Sequence, residues 1–245
     1  MKVVKNNLFG IAVAGAWRDE QGHQQSNLSG QFGSRDLGRF LKNWGITSAV
    51  EGGSGAANFA LTWPGSPRDF SAAKLSGNMN VDFRNGRISQ VIHGAKPELG
   101  LGRLLNLFSL QTLPLLPLKL AHLTKKGFAF NLLKGDFNLN HGNVKTHNAS
   151  IVGSVAWVRV SGIIGFARKN YDLQLNIVPN ITSSLPLIIG IAGGPLAGAI
   201  AWVANKILAP QLGKAAQINY RVTGSWNKPS IVKIPAPAAT NTART

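Results

Sequence analysis

The sequence predicts a mainly β protein: an antiparallel sheet with one dry face, carrying short helices that include a hydrophobic, broken one near the C-terminus. Three observations lead there. The chain has 28 Gly and only 14% charged residues among 245, a balance that favours strands and turns over helical bundles. In Tyr171–Val178 the side chains of Tyr171, Leu173, Leu175 and Ile177 share one face while Asp172, Gln174 and Asn176 share the other, which is how a half-wet strand reads. Turn markers such as Trp63-Pro64-Gly65-Ser66-Pro67 and Asn85-Gly86 punctuate the apolar runs. The length suits one large β-domain or two small ones; a single domain is placed over residues 1–234, with a small, polar tail at Pro235–Thr245 expected to be disordered.

The elements follow in order. Met1–Asn7 opens as a signal peptide does, and Ala12, Ala14 and Ala16 mimic a cleavage site. The apolar run Leu8–Ala16 is short and soon meets Arg18-Asp19-Glu20, so Leu8–Trp17 reads as a strand turning at Asp19–His23. Asn27–Phe32 is its partner. Ser34–Leu41 switches to a helical period, with Ser34 as N-cap and Leu37, Phe40 and Leu41 on one face; the glycines at 45, 52, 53 and 55 close it. Asn58–Trp63 is a strand. Leu75–Phe83 and Gly86–Ile92 are expected to form a hairpin around Asn85-Gly86, with Met79, Val81 and Phe83 on one side and Asn78, Asn80 and Asp82 on the other.

A helical insert is predicted over 97–112, with Pro97 in its first turn and Leu101, Leu104, Leu105 and Phe108 as its apolar face. Strands then resume at Phe128–Leu132, Gly135–Asn140, Val144–Ile151, Val155–Phe166 and Tyr171–Val178, and a last strand is expected over 216–226. Leu75–Val81 and Leu133–Leu139 form a faint internal repeat, LSGNMNV against LKGDFNL, each running into a turn at Asn85-Gly86 or His141-Gly142. Between Asp172 and Lys206 the chain carries no formal charge for thirty-three residues. The core of that run, within a helical element at 185–210, is split at Gly193-Gly194-Pro195, because Pro195 lacks a backbone donor and the glycines weaken a helix. The piece Pro195–Leu208 is then about 20 Å long, short for a span but suited to a membrane interface, with Trp202 and Lys206 near its end.

Twenty-six Lys and Arg against nine acids give a formal charge of +17, a field that attracts anionic partners: nucleic acid, anionic lipid or lipopolysaccharide phosphate. The bases are scattered rather than gathered in one arm. The absence of Cys removes disulfides, thiolate metal sites and Cys nucleophiles. No pair of acids is placed for acid/base catalysis. Gly52-Gly53-Ser54-Gly55-Ala56 lacks the last Gly of a nucleophile elbow, and there is neither a P-loop nor a dinucleotide fingerprint. His141 and His147 flank one strand without acids nearby, so no metal site and no cofactor is expected. The Asn-X-Ser/Thr triplets at Asn27, Asn148 and Asn180 read as chance matches. For a basic nucleic-acid-binding β-protein, aromatics should sit among Arg and Lys on an exposed sheet. Phe83, Phe128, Phe130 and Phe137 instead sit among aliphatics, as core or groove lining, so no nucleic acid is expected as a partner.

Several motifs in one order resemble the C-terminal region of the YhdP family of AsmA-like envelope proteins of Gram-negative bacteria. They are Gly102–Pro114 (GRLLNLFSLQTLP), Gly127-Phe128-Ala129-Phe130 with Gly135-Asp136-Phe137, Ser183–Pro186 with Ala192–Pro195, Trp63–Pro67, and Tyr220–Trp226 (YRVTGSW). Leu115-Leu116-Pro117 departs from the basic residues that relatives tend to carry there. The resemblance covers residues 10 to 234. It implies an antiparallel sheet curled into a long apolar groove, along which phospholipid acyl chains slide between inner and outer membranes, and a periplasmic, membrane-associated location. It also implies that the matched part lies toward the outer membrane, and that the N-terminal anchor and remaining groove of such a protein belong to a missing N-terminal part or a partner.

These expectations converge on a non-enzymatic lipid-binding chain. A sheet too open to bury its dry face leaves a trough for acyl chains, with headgroups at the wet rim. The groove residues are Met79, Val81, Phe83, Phe137, Leu139, Leu173, Leu175 and Ile177. The element meeting the membrane at the outlet carries Leu187, Ile188, Ile191, Leu196, Ile200, Trp202, Val203 and Ile207.

Overall fold

The computed structural model describes residues 2–89, 127–180 and 217–235. Within them lie β1 (Lys2–Lys5), β2 (Phe9–Glu20), β3 (His23–Ser34), α1 (Leu37–Asn43), β4 (Val50–Pro64), β5 (Ser76–Ile88), β6 (Phe128–Asn140), β7 (Asn143–Gly153), β8 (Ala156–Gly165), β9 (Asn170–Pro179), β10 (Ile218–Ser225) and β11 (Lys228–Ile234). The strands form one open sheet in strict chain order, β1 to β11, and every neighbouring pair is antiparallel. The mainly β, antiparallel reading holds.

The meander sorts its connections between two ends. At the hairpin end lie the tight turns Gln21-Gly22 and His141-Gly142, where both central residues have positive φ (54° and 84°; 45° and 74°). These are the mirror-image turns whose twist matches a right-handed hairpin. The segment Gly65–Leu75 crosses the same end through two single 3-10 turns, Pro67–Asp69 and Ala72–Lys74. At the loop end, α1 joins β3 to β4, and the chain also leaves and re-enters there between β5 and β6 and between β9 and β10.

Several local expectations are corrected. Asn85-Gly86 is not a hairpin turn. β5 runs straight through it, pairing with β4 on one side and β6 on the other. The positive φ that Asn tolerates (56°) is spent on a crease, at which Gly53 faces Asn85 without pairing, and the β6–β7 register shifts between Phe130 and Leu132 at the same level. The two repeat copies are likewise not successive hairpins: they pair antiparallel with each other, Met79 opposite Phe137 and Gly77 opposite Leu139. The two strands expected within 128–140 are one, irregular but continuous. Gly52, Gly53 and Gly55 lie inside β4 rather than ending a helix.

The N-cap of α1 is Asp36, whose carboxylate accepts from Arg39 N at 2.9 Å. Ser34 instead receives Asp36 N and donates to Leu8 O, fixing the chain just ahead of the cap. The strand expected over 216–226 spans Ile218–Ser225 and is followed by β11, which sequence reading did not place. The insert at 97–112, the element at 185–210 and the tail beyond 235 lie outside the described residues.

α1 packs on β4 because Gly38 has no side chain: a Cβ there would run into the Val50–Glu51 backbone. That close approach brings Phe40 onto Phe32 (centroids 4.4 Å apart) and Phe9 (5.1 Å), with Trp44 against Phe40 at 5.3 Å. The hairpin end is closed by two indoles. Trp63 donates to Ser66 O and meets Phe70 edge-on at 5.4 Å, while Trp226 donates to Asn170 O and meets Phe166 edge-on at 5.3 Å. Each buries a large ring while its N–H stays satisfied.

Candidate functional site

The dry face of the sheet curls around an apolar cavity of about 370 Å³. It is lined by side chains from Leu61 in β4 through to Leu173 in β9. Six flat strands would spread over about 24 Å at the usual inter-strand spacing. Their convergence on one cavity of this size therefore measures how strongly the sheet curls. The volume falls within the range of ligand pockets, about 300–1,000 Å³.

β5 supplies Met79 and Val81; β6 supplies Leu133, Phe137 and Leu139; β7 supplies Val144, Thr146, Ala149 and Ile151; β8 supplies Val160 and Ile164. Ala72, Leu75 and Phe166 close it at the hairpin end. Small residues keep the floor low: Gly135 lies opposite Val81, and Gly162 opposite both Thr146 and Leu173. The Thr146 hydroxyl on this wall is not stranded, since its Oγ1 accepts from Ala149 N at 3.2 Å.

That bond belongs to a bulge in β7. Pairing with β6 jumps from Thr146 to Ser150 while β6 steps from Phe137 to Lys134, and the β7–β8 register shifts at the same place. His147 and Asn148 are both exposed there. Asp136 N donates to Asn148 Oδ1 (2.9 Å) and Asn148 Nδ2 to Asp136 Oδ2 (2.6 Å), clamping the extra residue on the outer face. That face is wet and amide-rich, and Asn58 Nδ2 donates to Asn80 Oδ1 at 3.0 Å.

The structure divides the expected groove residues. Met79, Val81, Phe137, Leu139 and Leu173 line the cavity. Phe83 is buried beside Phe32, 6.5 Å between centroids, at the loop-end aromatic cluster. Leu175 and Ile177 are 1% and 0% exposed and lie in the core beside Tyr220 and Ile218 rather than on the cavity wall. Leu187, Ile188, Ile191, Leu196, Ile200, Trp202, Val203 and Ile207 lie outside the described residues. Sequence reading missed the β7 and β8 lining. The Val158–Val160–Gly162–Ile164 alternation could have revealed β8, whereas in β7 the bulge moves the inward set from even to odd numbers.

Phe83, Phe128 and Phe130 are buried and Phe137 faces the cavity, so none of them offers an exposed stacking platform. Two ionisable side chains are displaced from their usual values. The Ser66 hydroxyl and backbone N–H, both donating to Asp69, hold its carboxyl below the usual 3.8. Burial pushes the Tyr220 phenol above 10.0. No described helix is long and apolar enough to cross a membrane.

The family described as YhdP protein matches residues 3–231. The chain is 22% identical over 225 residues to the intermembrane phospholipid transporter YhdP of Escherichia coli (strain K12), covering 91% of this chain and 17% of that relative. The chain thus spans about a sixth of the length of the curated relative it matches. No solved structure matches it.

Proposed function

Because the chain belongs to the YhdP family, we propose that its curled sheet is a lipid-binding segment of a phospholipid-transport system in the cell envelope. The observation that carries this is the apolar cavity on the inner face, walled by six strands and backed by a polar outer face. Each methylene moved from water onto such a wall gains about 0.8 kcal/mol. Acyl chains are thus held by area rather than by directional bonds, and can shift along the wall without a fixed partner to break. Transfer of this kind needs no nucleophile, base or cofactor, and we propose a non-enzymatic role. In this reading the segment sits in the periplasm and is membrane-associated toward the outer membrane. It works as one part of a longer groove, the rest of which lies on other strands of the same kind.

The test is direct. Purified chain, extracted with organic solvent, should release phospholipid detectable by mass spectrometry. Val81→Glu places a carboxylate on the cavity wall at a half-buried position, where the variant should keep its β circular dichroism and lose the lipid. Lipid at background level in the unaltered chain would overturn the proposal.

A further inference from the structure

The outer face of the sheet is not uniformly wet. At the hairpin end its cross-strand row over β6 to β10 reads Asn140, Asn143, Gly165, Asn170 and Ser225. At the loop end the corresponding row over β6 to β9 reads Leu132, Val152, Trp157 and Val178, each opposite the next. Leu132, Val152 and Val178 are half-buried and Trp157 is 36% exposed. The core lies on the other face, so packing within the sheet does not account for an apolar row in register on the solvent side.

One step toward the hairpin end, about 7 Å along the strands, Lys134, Ser150 and Arg159 form the next row. Lys134 and Arg159 are exposed, and the Arg159 guanidinium lies over the Trp157 ring, 4.6 Å from its centroid. Among the described residues neither Lys134 nor Arg159 forms an ion pair. The acid opposite Lys134 is Asp82, and Arg84 engages it at 3.3 Å. Beyond that row come Asn80, Asp136 and Asn148 of the amide-rich surface. From the loop end inward the face therefore runs apolar, then cationic, then neutral and polar. That order matches the depth profile of a membrane interface: acyl boundary, phosphate level, water. An acidic protein could meet the cations, but a layered partner also accounts for the apolar row lying outermost.

We infer that the loop end of β6–β9 docks by its outer face on an anionic lipid surface. Trp157 sits at the acyl boundary, and Lys134 and Arg159 meet the phosphates. The inference rests on the membrane-associated reading above and names the face that meets the leaflet, on the side of the sheet away from the trough.

The chain has no cysteine, so Val178→Cys carries a single environment-sensitive dye, and Asn143→Cys carries it at the opposite end of the same face. The probes are vesicles of phosphatidylcholine alone and of phosphatidylcholine with phosphatidylglycerol in equal parts. On the anionic vesicles the dye at position 178 should shift to the blue, and the dye at position 143 should not. Lys134→Ala with Arg159→Ala should keep the β circular dichroism and lower partition onto those vesicles by about thirtyfold, the scale for two cations at an anionic surface. Val81→Glu, which empties the trough, should dock as the unaltered chain does. An unshifted dye at position 178, an equal shift at position 143, equal partition onto the neutral vesicles, or indifference to the double variant overturns the docking face and leaves the trough standing. Loss of docking in Val81→Glu also overturns it, because the vesicles would then be held through the trough. A single-stranded oligonucleotide that shifts the dye at position 178 where the vesicles do not would overturn it in favour of nucleic acid.

Discussion

At single positions, the distinction between lining a cavity and filling a core decides what a substitution does. Val81 and Leu175 both point to the dry side of the sheet, yet Val81 faces open space and Leu175 is 1% exposed. A charge at the first meets a cavity that water can enter; at the second it is buried without a partner, at a cost of several kcal/mol. Leu175→Asp should therefore unfold the sheet, seen as loss of the β circular dichroism band, where Val81→Glu leaves it intact. Asp69 supplies a pH-dependent counterpart. Its carboxyl is held below 3.8, so the Ser66–Asp69 contact contributes stability above that value and loses it as pH falls through the lower folded value. The 65–75 segment that closes the apolar cavity should accordingly gain hydrogen exchange in acid earlier than β9 does. In Asp69→Asn that acid-dependent step should disappear. Tyr220 has the opposite sense: raised by burial, it favours the fold below pH 10.0, and that contribution is lost as pH climbs through the higher folded value.

Among the elements, α1 is held by a missing side chain and one cap. Gly38→Ala would drive a methyl into the β4 backbone and should destabilise by about 1–3 kcal/mol, as overpacking does. Asp36→Ala, which removes the cap and an exposed ion pair with Arg39, should cost about 1 kcal/mol. Denaturant midpoints of the two variants would rank them in that order. The reverse order would mean that α1 is not seated on β4 at Gly38. The elements also show where the sequence was legible. Strict alternation in β9 and in Met79–Val81–Phe83 reports the dry face because period-two strands leave no other reading. Asn85-Gly86 misled because the left-handed backbone that suits a two-residue turn also suits a crease, and nothing local says whether a partner strand awaits on each side. The wall residues of β7 were hidden by the bulge at His147-Asn148, which resets the phase halfway along. Lys134 and Arg159 fall in one row only once the meander is built.

For the whole molecule, a sheet in which each strand pairs only with its chain neighbours tolerates changes between strands better than within them. β9 and β10 pair from Ile177 opposite Ile218 down to Asn170 opposite Ser225, so a turn of two to five residues is long enough to join them. Replacing residues 181–216 by such a turn should leave the β signal and the lipid content of the trough unchanged, by circular dichroism and mass spectrometry. Loss of the sheet would show that the strand pairing depends on the replaced stretch.

The same chain-ordered pairing bears on how the protein is made. A sandwich or Greek key must wait for a distant strand before its first sheet can close, and that wait exposes unpaired edges. Here one partner of every strand from β2 onward has already been synthesised when that strand emerges. The sheet can lengthen at one advancing edge, from β1 toward β11, with a single unpaired edge exposed at the growing side throughout.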